Sequence, residues 1–428
     1  MSRILLGWEL GLNLGHLARL LPVAARLRER GHTLMAAVRD LPAAMTVLGP
    51  AGIPLVQAPM MSQPLPLPRR LTGYGDILLA QGWADPAALA GLLQGWRNLY
   101  RLFKPDAALL DYAPTARLAS RIEGIPTVLL GNGFELPPAT DPLPHFPGFS
   151  WVTAELAARA EQEALANVRK ALWGSKVPAP AALRELFEAD EVLLATFAEL
   201  DHYGPRENGR DVGPLLGKLR CERIGWPEGE GPRLFACLRP DTHAAMEILG
   251  ALAKLQARVV CFAPGFTSGQ LEPYKSASIR FTARPVDLDV LAPEAEACVS
   301  YGAEGTVARF LLAGVPQLLS PKHVEAHLSA RRIEALGAGL VLRGEQTVEK
   351  VAAQLDRVLH DAQIKQQAQA FEERHGDFDS RRAVGAVVSG VEKVLGVERG
   401  DHGCADLPET RVGVIAATKF TRLTTENA

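Results

Sequence analysis

Two polar side chains of complementary chemistry, His16 and Asp111, follow apolar runs that the sequence pattern predicts to be strands. His16 opens a helical pattern after a glycine-rich loop, and Asp111 ends a different apolar run. Because the carboxyl ends of parallel strands meet at one edge of a sheet, we expect the two side chains to lie close together. A histidine can take a proton from a hydroxyl, and a carboxylate on its far ring nitrogen fixes the tautomer. Taken singly, His16 is also consistent with a helix cap and Asp111 with a turn residue.

A second candidate site is the turn Gly302-Ala303-Glu304-Gly305-Thr306, which joins a predicted strand to a predicted helix. Backbone N–H groups at a helix start bind phosphate oxygens, and glycines let the ligand come close. Such turns are also frequent as simple connections. Arg239, in the turn after an earlier strand, and Arg309 offer the positive charge that suits phosphate, although both are also consistent with surface arginines.

Two further features have both a structural and a functional interpretation. His323 and His327 are four residues apart on one helix face, as metal ligands often are, but their order is not that of the zinc proteases and we expect no metal. Trp83 and Phe134 line an apolar acceptor pocket or belong to an ordinary core.

Composition and length limit the function classes. The chain has 428 residues, of which 47% are hydrophobic and 22% are charged, and its formal net charge is -2. The length predicts two domains, and the charge gives no reason to expect nucleic acid as a partner. Five cysteines without close pairs are typical of reduced thiols in a cytoplasmic protein. No signal peptide and no long apolar run is present, so we expect a cytoplasmic protein without a membrane span, for which contact with a membrane surface stays open.

Strands and helices alternate along the chain, which predicts an α/β fold with parallel sheets. The alternation starts at residue 3, pauses in the Gly-, Pro- and charge-rich region 203–232, and restarts at residue 234. We expect continuous helical stretches over 77–103 and over 348–395. The predicted organisation is a first domain over 1–205, a linker over 206–232, a second domain over 233–395 and a flexible extension over 396–428.

Residues 299–339 contain more than the glycine turn, because Ala313-Gly314-Val315-Pro316, Ser320-Pro321 and an acidic Glu325 follow it. This order resembles the donor-binding signature of the nucleotide-sugar-dependent glycosyltransferases of the GT-B fold. The likeness is greatest to the bacterial macrolide- and flavonoid-type transferases and the UDP-glycosyltransferases. Most of residues 1–395 takes part in the resemblance. The other matching segments are Asn13-Leu14-Gly15-His16, Lys104-Pro105-Asp106 with Asp111, Gly124-Ile125-Pro126 and Val212-Gly213-Pro214-Leu215.

The resemblance implies two tandem Rossmann-like domains that face each other across a cleft. It implies inverting transfer of a sugar to a hydroxyl of a small, largely apolar acceptor, with His16 and Asp111 as the base pair. Gly15, with Trp83 and Phe134, is expected at the acceptor. The nucleotide sugar is a co-substrate, and neither a cofactor nor a metal is expected. Besides Arg239, the expected donor-binding residues are Val286, Tyr301, Gly302, Ala303, Gly305, Thr306 and Glu325.

The donor motif departs from the family pattern at several positions. Tyr301 stands where the family has a histidine that donates to the diphosphate, and Ala303 replaces its second glycine. Glu325 is one methylene longer than the usual aspartate, and Ala326 replaces a glutamine. These departures leave two other functions open: a non-catalytic nucleotide-sugar-binding or scaffold protein, and another enzyme on the same fold, such as a nucleotide-sugar epimerase.

Overall fold

A computed structural model describes residues 1–11, 14–174, 177–206, 209–217 and 221–397 of the chain. These residues form two compact units. Unit 1 contains Met1–Phe197, Arg206–Gly217 and the C-terminal segment from Ser380, and unit 2 contains Ala198–Pro205 and Lys218–Asp379. Each unit is built on a six-stranded parallel sheet, which confirms the predicted α/β class.

The sheet of unit 1 has the strand order β3-β2-β1-β4-β5-β6. Its strands are β1 (Arg3–Trp8), β2 (Thr33–Val38), β3 (Leu55–Gln57), β4 (Ala107–Asp111), β5 (Thr127–Gly131) and β6 (Glu191–Leu194). The strand order reverses between β1 and β4, where such sheets open a crevice at the carboxyl ends. Trp8 pairs with Asp111 across these two strands, so the end of β4 lies beside the loop that follows β1.

The helices of unit 1 begin with α1, which buries one apolar stripe along its length. They are α1 (Gly15–Glu29), α2 (Leu41–Val47), α3 (Tyr74–Leu78), α4 (Pro86–Phe103), α5 (Pro114–Glu123) and α6 (Ala154–Ala171). The prediction of a continuous helix over 77–103 is wrong. A π-helical turn, Leu79–Trp83, follows α3, and Gly82 takes a φ of 100° that ends it. Asp85 then accepts from the N–H of Ala87 and starts α4.

The sheet of unit 2 has the order β12-β11-β10-β7-β8-β9, with every pair parallel. Its strands are β7 (Arg233–Cys237), β8 (Arg258–Phe262), β9 (Ile279–Thr282), β10 (Ala297–Ser300), β11 (Gln317–Leu319) and β12 (Gly339–Val341). All except β12 match strands that the sequence pattern predicts, over 234–238, 258–262, 279–281, 297–300 and 317–319. β12 has only three residues, which is too short for a periodic signal in the sequence.

The predicted continuous helix over 348–395 is also wrong, because it is three helices. The remaining helices of the chain are α7 (Ala245–Lys254), α8 (Ser268–Leu271), α9 (Leu288–Leu291), α10 (Glu304–Leu312), α11 (Val324–Ala335), α12 (Val348–His360), α13 (Ala362–Arg374) and α14 (Ser380–Val394). Asp361 ends α12 and caps α13, since its carboxylate accepts from the N–H groups of Gln363 and Ile364.

Helix α14 belongs to unit 1, whereas the predicted boundaries place all of 233–395 in the second domain. Its Glu392 is buried, accepts from Arg30 and lies 3.3 Å from Nε2 of His32, and both partners are in unit 1. The predicted linker is also divided, with 206–217 in unit 1 and the chain from 218 in unit 2. Residues 398–428 of the predicted extension lie outside the described residues.

Four cysteines lie in the described part of the chain, and all have free thiols as predicted. Three of them, Cys237, Cys261 and Cys298, are buried on the adjacent strands β7, β8 and β10, where burial raises the pKa of each thiol. Within the described ranges, no helix is both long and apolar enough to cross a lipid bilayer.

Candidate active site

His16 lies in the first turn of α1, directly after the loop that leaves β1. The residue is 7% exposed. Nδ1 lies 2.8 Å from Oδ1 of Asp111, the last residue of β4. Because an ionised carboxylate can only accept, Nδ1 carries the proton and Nε2 is left as the basic nitrogen. The predicted meeting of these two residues is therefore present in unit 1.

Backbone and aromatic rings surround the imidazole. Gly11 has a φ of 80°, and a Cβ at this position would overlap Nε2 of His16. The Trp8 ring stacks on His16 with centroids 5.3 Å apart, and the Tyr112 ring does so at 6.1 Å. Phe134 contacts Tyr112 edge to face at 6.2 Å. Among the described residues, aromatic rings thus flank the imidazole, and the backbone of Gly11 lies close to its basic nitrogen.

Two charged residues complete the site. Arg19, one turn beyond His16 on α1, donates from Nη1 to Oδ1 of Asp111 at 3.1 Å and to Oε2 of Glu135 at 2.5 Å. Oε1 of Glu135 lies 3.6 Å from Nδ1 of His16. All four side chains are buried. Burial lowers the pKa of His16, but the charges of Asp111 and Glu135 outweigh it and hold that pKa above its ordinary value.

His16, Asp111 and Glu135 also form a group of possible metal ligands, with donor atoms within 4.8 Å of one another. The Arg19 guanidinium donates to both carboxylates of this group. A guanidinium already lies between the two carboxylates and offsets part of their charge, so the arrangement fits a metal ion poorly. The absence of a metal from the reaction stays a prediction.

The predicted donor residues of unit 2 lie at the carboxyl ends of its strands. β10 ends at Ser300, whose hydroxyl accepts from the N–H of Gly302, and Gly302 has a φ of 89°. Helix α10 begins two residues later, with Ala303 at its N-cap, so no side chain caps the first N–H groups. Gly305 and Thr306 lie in this first turn, where N–H groups and the helix dipole attract anions.

Tyr301 and Arg239 lie together beside this turn. Tyr301 is 9% exposed, and burial raises the pKa of its hydroxyl to about 12, opposed by the charge and hydrogen bond of Arg239. The Lys322 ammonium lies 5.8 Å from the centre of the Tyr301 ring and 2.7 Å from a carboxylate oxygen of Asp241. Tyr301 thus stands where the family pattern has a histidine, and the positive charges of Arg239 and Lys322 lie close to it.

Glu325 and Val286 lie on neighbouring elements. Glu325 is half-buried in the first turn of α11, whose N-cap is His323. His323 accepts the Ala326 N–H at Nδ1, a contact that requires this ring nitrogen to be unprotonated. Val286 follows β9 and packs in the same apolar cluster as Tyr301.

Arg309, a candidate for phosphate binding, has partners within unit 2. Its guanidinium donates to Asp289 at 2.9 Å and to the carbonyl of Gly305 at 3.2 Å, so Asp289 already pairs with its charge.

Comparison with known proteins shows what this chain resembles. Residues 246–377 match the family described as "Erythromycin biosynthesis protein CIII-like, C-terminal domain". A PGL/p-HBAD biosynthesis glycosyltransferase of Mycobacterium tuberculosis is 25% identical over 344 residues, which are 74% of this chain and 79% of that protein. The calicheamicin glycosyltransferase CalG4 has a TM-score of 0.68 at 19% identity, over 92% of this chain and 98% of that one. The glycosyltransferase VinC, solved with dTDP, has a TM-score of 0.64 at 17% identity, over 91% of this chain and 100% of that one.

The chain is a nucleotide-sugar-dependent glycosyltransferase of the GT-B fold. These similarities confirm the predicted fold and enzyme class. The roles of individual residues in this glycosyltransferase stay predictions.

The predicted acceptor residues are distributed unevenly. Gly15 is exposed at the start of α1. The Phe134 ring contacts the Tyr112 ring, which in turn stacks on His16. Trp83 has no exposed surface and donates from its indole to the Thr115 hydroxyl at 3.0 Å. Phe134 is therefore the aromatic residue of the predicted pair that lies near the base.

Sequence reasoning missed Arg19 and Glu135 in this glycosyltransferase. Arg19 follows His16 by three residues, so both project from one face of α1. Glu135 comes four residues after the carboxyl end of β5, at the same sheet edge as Asp111. The sequence contains a signal for both: each is a charged residue, one in the first turns of α1 and one shortly after β5. The sheet topology brings these two positions to the same edge.

Proposed function

We propose that this glycosyltransferase moves a sugar from a nucleoside diphosphate sugar to a hydroxyl of a small, largely apolar acceptor, with inversion at the anomeric carbon. The observation that carries the proposal is the buried 2.8 Å hydrogen bond between His16 and Asp111. Nε2 of His16 takes the hydroxyl proton while the acceptor oxygen bonds to the anomeric carbon. The bond to the nucleoside diphosphate breaks with its electron pair, and Asp111 stabilises the imidazolium.

The donor half of the proposal rests on the first turn of α10. Because N–H groups at a helix start attract anions, we assign Ala303 and Gly305 at the start of α10 to the diphosphate. Gly302 and Thr306, whose N–H groups donate to Ser300 and Ala303, are assigned to the same turn of the donor site. Arg239 supplies the charge, in place of the histidine that Tyr301 replaces. Val286 is assigned to the base and Glu325 to the sugar hydroxyls. VinC was solved with dTDP, so dTDP sugars are the first donors to test.

The acceptor is expected near Gly15 and Phe134, with Trp83 behind them in the core. The aromatic rings around His16 support an apolar acceptor. Free thiols at the described cysteines support the cytoplasm as the compartment. A non-catalytic scaffold, the alternative that Tyr301 and Ala326 left open, has no use for a buried and oriented His–Asp pair.

A thermal-shift panel of dTDP, UDP and GDP tests the donor site. A nucleotide at a hundred times its Kd stabilises the protein by about 2.7 kcal/mol. We expect Arg239→Gln to reduce the shift from the diphosphate, while the smaller effect of the nucleoside stays the same. Arg309→Gln is the matched control, because its guanidinium is engaged by Asp289. No response to any nucleotide, or equal losses in the two variants, would contradict the donor assignment.

Replacement of the base tests the chemistry. We expect His16→Ala to lower sugar transfer by about 10²- to 10⁴-fold, the usual contribution of a general base, with nucleotide binding unchanged. Release of the nucleoside diphosphate in the presence of a panel of aromatic and macrolide alcohols measures it. His145→Ala, an exposed histidine of the same unit, is the control. Full transfer by His16→Ala would remove His16 from the mechanism.

A further inference from the structure

We infer that Glu135 and Arg19 are positioning residues for the base: Glu135 is a second counter-ion of the His16 imidazolium, and Arg19 holds both carboxylates against it. The inference rests on the proposed role of His16 as the base. It adds two residues, and an electrostatic balance between them, to the His16–Asp111 pair.

Glu135 is fixed by its own loop. It is 3% exposed, and Oε2 accepts from the Asn132 N–H at 2.7 Å as well as from Arg19. The Asn132 side chain accepts in turn from the N–H groups of Phe134 and Glu135, which closes a tight turn after β5. A Cβ at Gly131 would lie 2.7 Å from Oε2 of Glu135, so a glycine makes room for the carboxylate. These contacts leave Oε1 directed to Nδ1 of His16 at 3.6 Å.

Arg19 connects the two carboxylates. Nη1 is shared between Asp111 and Glu135, and Nη2 lies 3.4 Å from Oε1 of Glu135. Oδ2 of Asp111 is fully buried without a hydrogen-bond partner among the described residues. Two buried carboxylates that approach one imidazole repel each other unless a cation lies between them. Arg19 is that cation, and it lies on the same helix as the base.

The formal charges of this cluster balance only after proton transfer. With a neutral His16, Asp111 and Glu135 contribute two negative charges and Arg19 one positive charge, which leaves one excess negative charge. When His16 takes the acceptor proton, the cluster becomes neutral. Because charges interact strongly in a buried site, this arrangement favours the imidazolium that forms during transfer.

The titratable groups that face His16 come from the ends of two strands and from its own helix. They are Asp111 at the end of β4, Tyr112 directly after it, Glu135 after β5, and Arg19 on α1. Asp111 and Glu135 raise the pKa of His16, whereas burial and Arg19 lower it. Loss of the Glu135 charge must therefore lower that pKa, and loss of the Arg19 charge must raise it. A buried ion pair with a purely structural role predicts no such opposite pair of shifts.

The test compares Glu135→Gln and Arg19→Gln with the parent enzyme by two measurements. The first is the NMR titration of the His16 imidazole, assigned by its loss in His16→Gln. The second is the acid limb of the pH profile of kcat/KM for transfer. We expect Glu135→Gln to move both midpoints to lower pH, and Arg19→Gln to move both to higher pH, each by about one pH unit. Glu161→Gln, which alters a buried carboxylate that accepts from Leu143 instead, is the matched control and leaves both midpoints in place.

Conservative variants keep the test decisive if a glutamine variant does not fold. Glu135→Asp and Arg19→Lys retain the charges, and we expect them to restore the parent midpoints to within a few tenths of a pH unit. An imidazole titration that is unchanged in folded Glu135→Gln and folded Arg19→Gln overturns the inference. Opposite shifts of the imidazole with an unmoved acid limb would instead support the cluster and overturn His16 as the base.

Discussion

Gly11 is the residue whose size decides access to the basic nitrogen of His16. Its φ of 80° is one that L side chains rarely adopt, and a Cβ would overlap Nε2. We therefore expect Gly11→Ala to lower transfer by at least tenfold, because the methyl group displaces either the imidazole or the acceptor hydroxyl. Nucleotide binding, which we assign to residues of unit 2, should be unchanged in the same thermal-shift assay.

Gly124→Ala is the matched control for this prediction. Gly124 has a φ of 67° at the end of α5, but open space surrounds its Cβ position. Both variants carry the backbone strain of a left-handed residue, about 1–2 kcal/mol, and only Gly11→Ala adds the overlap. Equal activities of the two variants would show that strain, and not access to Nε2, controls the rate.

At the residue scale, the sequence predicted the pair but not the cluster. His16 and Asp111 could be paired because each follows an apolar strand, and parallel strands present their carboxyl ends together. Arg19 lies on α1 among leucines that predict a buried stripe, so its burial follows only from partners that are distant in sequence. Glu135 is such a partner, and its place depends on a turn that Asn132 closes.

At the scale of elements, Glu9 couples β1 to α5. It is the first residue after β1, is fully buried, and accepts from the N–H groups of Thr115 and Ala116 at the start of α5. Burial raises the pKa of Glu9 from 4.5 to about 7, against these hydrogen bonds and the nearby Arg39 charge, which lower it. The folded state therefore binds this proton more tightly than the unfolded chain does.

A pH-dependent stability follows from that shift. Between pH 4.5 and pH 7 the unfolded chain releases the Glu9 proton first, so the free energy of unfolding falls as the pH rises. We expect Glu9→Gln, which keeps an acceptor for α5, to gain on the order of 3 kcal/mol relative to the parent between pH 4.5 and pH 8. Urea unfolding followed by tryptophan fluorescence measures it. An equal gain in Glu163→Gln, an exposed carboxylate of the same unit, would contradict the assignment to Glu9.

Strands were more predictable than the interruptions of helices. The sequence pattern predicts strands over 3–8, 33–38, 258–262, 297–300 and 317–319, and β1, β2, β8, β10 and β11 have these bounds. Short apolar runs between turn residues leave little choice of structure. The helical stretches over 77–103 and 348–395 were predicted as continuous because their apolar periodicity continues through the breaks. Gly82 and Asp361 mark two of those breaks, the first by a left-handed φ and the second by a cap. Both residue types also occur inside helices, so their effect depends on packing.

At the scale of the whole molecule, the order of the elements along the chain does not show which of them belong to the same unit. α14 is amphipathic, and such a stripe predicts burial without naming the sheet that it covers. Its buried Glu392 identifies the partner, since Arg30 and His32 receive it in unit 1. The sequence alone could not show that α14 belongs to unit 1, because the contact that shows it joins residues that are 362 positions apart.

Truncation tests whether unit 1 depends on α14. Four valines of α14, Val384, Val387, Val388 and Val391, are buried. At about 1.5 kcal/mol each, their burial contributes on the order of 6 kcal/mol, which is comparable to the whole stability of a domain. We expect a chain that ends at Asp379 to show a lower unfolding temperature of unit 1 than a chain that ends at Val397, and to lose sugar transfer.

The nucleotide-induced thermal shift should persist in both chains, because the assigned donor residues all lie in unit 2. Equal unfolding curves for the two chains would mean that α14 is dispensable for unit 1, and loss of the nucleotide response would place part of donor binding outside unit 2.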